Sequence, residues 1–202
     1  MSVQEVMKNP APSLDDMRSA LKSMLHFMGE DPEREGLLET PDRILKSWTE
    51  LYAGYKQSPE EILSKRFSET DGYDQLVLLK NIGFFSMCEH HNLSFIGVAH
   101  VGYLPGDCVV GISKLARLVD CHARRLQIQE RMTKSIADDV MKHLAPRGVA
   151  VVVEGQHLCM QARGIKKIGS SMVTSAMEGV FKNNAGGCKD EFLTLVNMSP
   201  AY

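Results

Sequence analysis

Cys88-Glu89-His90-His91 and His157-Leu158-Cys159 place two thiols and three imidazoles in two short clusters, far apart in a chain of 202 residues. Thiolate and neutral imidazole are ligands that Zn2+ prefers, and a structural zinc site normally closes with four protein ligands. These clusters most naturally supply three, Cys88, His91 and Cys159. Three ligands leave one position for water, the arrangement of catalytic zinc, so the spacing points to a metal-dependent hydrolase. Cys88 and His91 are three apart, so a turn can bring both to one ion. His157 and Cys159 are two apart, and on an extended segment they point to the same side. His90 and His157 are then free imidazoles beside the metal, suited to moving protons. A closed Cys2His2 structural site, or core histidines without metal, are the alternatives open at this point.

Two further constellations suggest an anionic, base-bearing substrate. Gly111-Ile112-Ser113-Lys114 lies where a strand is expected to turn into a helix, and a helix N-terminus favours phosphate. Lys114 and Arg117 are three apart and share a helix face. Arg163, Lys166 and Lys167 follow the second metal cluster closely, and Arg43 with Lys46 forms another basic pair at helical spacing. Taken singly, each pair is explained as well by a solvated helix face. In Gln127-Ile128-Gln129-Glu130-Arg131, Glu130 assisted by Gln129 has the chemistry to accept from the N1–H and N2–H2 edge of guanine. Taken alone, that motif also reads as the polar start of a helix.

The elements that must position these residues follow from periodicity and punctuation. Residues 1–12, with Pro10 and Pro12, read as a loose arm. Ser13 with Asp16 predicts a helix start, followed by a stripe of Leu14, Met17, Leu21, Met24, Leu25 and Met28 suited to core or subunit interface. Thr40-Pro41 opens a second helix that buries Ile44, Leu45, Trp48, Leu51 and Tyr52, and Ser58-Pro59 opens a short third. Residues 76–85 and 93–104 read as strands, with 108–112 returning as a hairpin partner after the Pro105-Gly106-Asp107 turn. Ser113 is expected to cap the next helix. A long helix over 129–144, strands over 149–154 and 171–181, and a short helix over 191–196 complete the chain. The order predicts an α+β fold, divided into an N-terminal arm and helical segment over 1–70 and a catalytic domain over 71–202.

Composition bounds the function. A formal net charge of -2 argues against general affinity for nucleic acid. Five cysteines, two of them in ligand positions, suit a reducing compartment better than a disulfide framework. Residues 1–13 contain no apolar run of signal-peptide type, and no stretch is long enough to cross a membrane. The expectation is a cytoplasmic protein that binds neither nucleic acid nor membranes.

These stretches resemble the GTP cyclohydrolase I family from about residue 14 to the end. The resemblance is carried by residues 30–37 (Glu-Asp-Pro-Glu-Arg-Glu-Gly-Leu), Phe85-Ser86-Met87-Cys88-Glu89-His90-His91, Gly102-Tyr103-Leu104-Pro105, Gly111-Ile112-Ser113-Lys114-Leu115-Ala116-Arg117, Gln127-Ile128-Gln129-Glu130-Arg131 and His157-Leu158-Cys159-Met160. It implies a T-fold, an antiparallel four-stranded sheet with a helix pair, behind an N-terminal helical segment. It also implies conversion of GTP and water to formate and 7,8-dihydroneopterin triphosphate, the first step of pterin biosynthesis. Cys88, His91 and Cys159 match the zinc ligands, and His90 and His157 the proton-transfer histidines. Ser113 matches a serine linked to the ribose steps, and Glu130 with Gln129 the guanine anchor. Lys46, Lys114, Arg117 and Arg163 match positions that hold the triphosphate. The resemblance further implies a homodecamer of two face-to-face pentamers with active sites between subunits. Ser94, Ile112 and Gln161 depart from the usual family residues, and none is a carried-over catalytic position. The arm before residue 14 is shorter than animal regulatory extensions, so a feedback regulatory protein as partner rests on the resemblance alone. The rival functions are another T-fold enzyme acting on a pterin or deazapurine, and a non-catalytic zinc-stabilised assembly protein.

Overall fold

The computed structural model describes residues 11–68 and 72–198, so nearly all of the arm expected over residues 1–12 lies outside the described residues. The chain divides into two compact units, Met1–Glu50 and Leu51–Tyr202.

In the first unit, α1 (Leu14–Phe27) begins where the sequence places it. The Ser13 hydroxyl accepts from the Asp16 N–H while the Asp16 carboxylate accepts from the Ser13 N–H, which satisfies two end groups reciprocally. Its apolar stripe is covered only in part: Leu21 and Leu25 are buried, whereas Leu14, Met24 and Met28 are exposed in the single chain. α2 (Thr40–Leu51) carries Pro41 in its first turn, and Ile44, Leu45 and Trp48 are half-buried rather than fully covered.

The second unit opens with α3 (Pro59–Ile62), capped by Ser58. Its sheet is built from β2 (Val77–Cys88), β3 (Ser94–Leu104), β6 (Gly148–His157) and β7 (Met172–Gly179), each antiparallel to its neighbour. A two-residue strand, β5 (Leu126–Gln127), adds in parallel to the end of β2 and gives the order β5-β2-β3-β6-β7. The hairpin expected over residues 108–112 does not form. β3 already has β2 on one edge and β6 on the other, so β4 (Val109–Val110) pairs instead with β1 (Arg66–Phe67) in a separate small sheet.

Alternation along the strands sorts side chains onto two faces. Val149, Val151 and Val153 of β6 meet α4 (Ile112–Ala123) and α5 (Gln129–Leu144) across one core with Phe84, Phe95 and Tyr103. Met132, Ile136, Val140 and Leu144 are buried there at the positions the helical period predicts. Ala150 on the other face packs with Phe181 and with Phe192 of α7 (Cys188–Asn197). Gly111 is the residue that precedes α4, and Ser113 is an exposed first-turn residue, so Ser113 does not cap the helix. No helix among the described residues is long and apolar enough to cross a membrane.

Gly97 and Gly155 face each other in the β3–β6 ladder. A Cβ on Gly97 would come within 1.9 Å of the Glu154 carbonyl oxygen, a backbone atom that cannot move without shifting β6. Gly97→Ala is therefore expected to destabilise the protein by about 1–3 kcal/mol in urea denaturation. An unchanged midpoint would show that the two strands part freely at this point.

Candidate active site

β2 ends at Cys88, and residues 89–93 turn the chain back into β3. The Cys88 N–H donates to the Leu93 carbonyl and the Asn92 N–H to the Cys88 carbonyl, both at 2.8 Å. Asn92 takes a left-handed backbone (φ 51°), which Asn tolerates better than most residues, and Tyr52 donates to its side-chain oxygen at 2.5 Å. The turn folds His91 over Cys88, with Nδ1 3.7 Å from Sγ. Cys159 comes from a different local structure than the spacing suggested. β6 ends at His157 and the chain enters the single helical turn α6 (Leu158–Gln161), so Cys159 reaches the cluster from a helix, not an extended segment.

The ligand atoms of Cys88, His91 and Cys159 all lie within 4.8 Å of one another. A sulfur and a nitrogen on one tetrahedral zinc, at about 2.3 and 2.1 Å, stand about 3.6 Å apart. The Cys88–His91 separation fits that geometry, and two thiols with one imidazole suit zinc chemically. Burial, with the Cys88 thiol alongside, pushes the Cys159 thiol upward, and the Arg163 charge opposes this.

The His157 ring lies flat on Phe95, with centroids 4.4 Å apart and planes 6° from parallel. Its Nε2 is 2.9 Å from Oε1 of Gln129, which is 1 % exposed. The Gln129 amide nitrogen faces the carbonyls of Val153 (3.1 Å) and Met172 (2.9 Å) and the Thr174 hydroxyl (3.1 Å). Carbonyls only accept, so the nitrogen end of the amide must point at them and the oxygen end at His157. His157 therefore donates its Nε2–H, and Nδ1 is the nitrogen left for proton transfer. Burial holds the His157 pKa below its usual value, against the pull of the Glu130 carboxylate. Gly155 makes room for this arrangement, because a Cβ there would stand 2.5 Å from Gln129 Oε1.

The other sequence-predicted residues separate into groups. His90 is exposed beside His91, with ring centroids 6.3 Å apart. Glu130, in the first turn of α5, and Arg163, after α6, are exposed and close enough for their charges to act on His157 and Cys159. The Gln129 side chain, expected beside Glu130 at a base, is buried and bonded to Val153, Met172, Thr174 and His157, so within this chain it orients His157. Ser113, Lys114 and Arg117 are not at the metal cluster. The C-terminal end of α4 leads into β5, whose Gln127 lies opposite Cys88. Its start follows β4, where the Val110 N–H donates to Tyr103, the partner of Val77 at the far end of β2. α4 has 12 residues, which separates its ends by about 18 Å. Lys46 is exposed on α2, in the first unit. Sequence reasoning missed Phe95 as the platform for His157, since only the β3–β6 register sets Phe95 against it.

Fold and cluster define an α+β protein with a candidate metal centre of hydrolytic type. Residues 17–197 match the GTP cyclohydrolase I family, and the chain belongs to it. It is 50% identical over 195 residues to proteins named GTP cyclohydrolase 1 from Brucella abortus (strain S19), Brucella melitensis biotype 2 and Brucella suis biovar 1, covering 96% of this chain and 90% of each relative. Among solved structures, the apo form of the archaeosine synthase QueF-Like aligns with a TM-score of 0.45 and 22% identity, over 53% of this chain and 96% of that one.

Gln129→Met keeps the volume and removes every hydrogen bond of the amide. It is expected to cost about 1–3 kcal/mol in denaturant titration. The ring nitrogen shifts of His157 should lose the fixed Nε2–H tautomer, and unchanged shifts would remove Gln129 as its orienter.

Proposed function

We propose that this protein converts GTP and water to formate and 7,8-dihydroneopterin triphosphate, with zinc held by Cys88, His91 and Cys159. The observation that carries this reading is the convergence of those three ligand atoms in a chain of the GTP cyclohydrolase I family. Zinc held there would supply Lewis-acid activation of water for hydrolysis.

The remaining roles fall to side chains of this chain. His157, donating Nε2–H to Gln129, has Nδ1 to take and return protons during ring opening, and exposed His90 is the second proton carrier. The Glu130 carboxylate accepts from guanine N1–H and N2–H2. Arg163, Lys114 and Arg117 balance the triphosphate charge, and Ser113 serves the ribose steps. The catalytic domain of this reading, residues 71–202 behind an N-terminal segment over 1–70, holds the metal cluster and both histidines, within a compact unit that itself begins at Leu51. All five cysteines are free, which favours a reducing, cytoplasmic setting.

The position of Ser113 bears on assembly. Ribose is bonded directly to the guanine base, so a residue acting on it belongs within a few ångströms of His157. In one chain the start of α4 is separated from the metal end by the length of that helix. In this proposal a second copy brings its own Ser113, Lys114 and Arg117 to the cluster, which supports a homo-oligomer with sites between subunits; the decamer is what the resemblance to the family implies.

Zinc-loaded protein given GTP should release formate and form the pterin chromophore together, and a chelator should abolish both. A well-folded zinc-bound oligomer yielding neither product would overturn the reading. His157→Ala should retain zinc and lose ring opening by about 100-fold or more. Cys88→Ser and Ser113→Ala homo-oligomers should each be inactive, yet regain activity when co-assembled. Mixed oligomers without activity would place both residues in one chain's site.

A further inference from the structure

Two residues of the sequence motifs have no part in the reading above, Glu89 between the metal ligands and Arg131 beside the guanine anchor. They meet each other. Arg131 donates from Nη2 to Glu89 Oε2 as a close ion pair. The same guanidinium donates from Nε to the Gln127 side-chain oxygen at 3.0 Å and from Nη2 to the Leu126 carbonyl at 3.3 Å. Gln127 is itself buried, and its amide donates to the His122 carbonyl at 2.9 Å, which anchors it to the end of α4. The Glu89 N–H donates to the Gln127 carbonyl at 3.0 Å. Glu89 is thus held by its backbone to β5, the strand that flanks Cys88, and by its side chain to Arg131 of α5.

We infer that Arg131, acting through Glu89, is a positioning residue for the metal site: it holds the turn that presents His91 to the ion alongside Cys88. The inference rests on the proposed metal site and extends it to residues that touch neither metal nor substrate. The physical need is plain. Cys88 is buried and fixed at the end of a strand, whereas His91 is exposed on a turn. An exposed ligand loses conformational freedom on binding, and that loss shrinks when the turn is ordered beforehand. Fixing Glu89, the first residue of the turn, orders it from the Cys88 side, while Tyr52 on Asn92 holds the other side. Arg131 suits the task because its planar fork reaches a carboxylate, a side-chain amide and a backbone carbonyl at once.

The same turn of α5 serves the other half of the site. Gln129 orients His157 and Arg131 orders the Cys88–His91 turn, with Glu130 between them. One helical turn therefore sets the metal ligands, the proton carrier and the base anchor in a common frame.

The test is the zinc affinity of full-length protein, read by chelator competition with the metal alone, for wild type, Glu89→Gln, Arg131→Gln and the double variant. Each single substitution should raise the zinc Kd about 10-fold, as loss of a supporting contact to a metal site does. The double variant should match the weaker single, because either change breaks the same link. The zinc-free variants should melt within a few degrees of wild type, which a general loss of fold would not allow. Singles within twofold of the wild-type Kd would overturn the inference, as would a double whose effect is the product of the two singles. No GTP enters the measurement, so a protein that shows this pattern and fails to turn over GTP would overturn the proposed function and leave this inference standing.

Discussion

One buried amide constrains the rest of the site. The Gln129 side chain is removed from water, so each of its polar atoms needs a partner inside the protein. It finds them on two strands at once: the Val153 carbonyl and the His157 ring of β6, and Met172 and Thr174 of β7. Satisfying the amide therefore locks α5 to the sheet and sets the nitrogen by which His157 can act. Gly155 is required for the same reason, as the space that a side chain would occupy is filled by the amide oxygen. Packing below, through Phe95, and hydrogen bonding at the edge, through Gln129, leave His157 little freedom except to change protonation at Nδ1.

The direction of α4 ties chemistry to assembly. It runs alongside β2 from the strand's start to its end, so its basic first turn and the metal cluster occupy opposite ends of the sheet. No adjustment of side chains closes a gap of that length. The proposed reaction needs both ends near one nucleotide, and in that proposal a second copy of the chain brings them together. Catalysis and oligomerisation are one property under that reading, and a free subunit, even correctly folded, is expected to be inactive.

Much of this was legible from residue types and local spacing. The capping pair Ser13–Asp16, the long helix over 129–144 and its buried stripe follow from rules that act within a few residues, and the structure reproduces them. Thiol and imidazole chemistry alone singled out Cys88, His91 and Cys159, whose candidate ligand atoms the structure brings within 4.8 Å of one another. Errors arose where a partner distant in sequence decided the outcome. Residues 108–112 carried a hairpin signal, but both edges of β3 were already taken. The local signal was also incomplete at Cys159, expected on an extended segment and carried instead by the helical turn Leu158–Gln161. Gln129 was read only as assisting Glu130 at a base, and no local rule reveals that a polar residue at a helix start will be buried with its amide bonded to two strands.

By itself the sequence determined which atoms can bind metal, which groups can carry protons or charge, and which segments fold as helices and strands, because these depend on side-chain chemistry and short-range periodicity. The tertiary structure alone decided that Glu89 meets Arg131, that His157 lies on Phe95 and beneath Gln129, and that Ser113 is remote from the metal within one chain. Periodicity says which face of an element is apolar, but not which other element will cover it. Strand register and helix direction supply that information, and they are fixed only when the whole core packs.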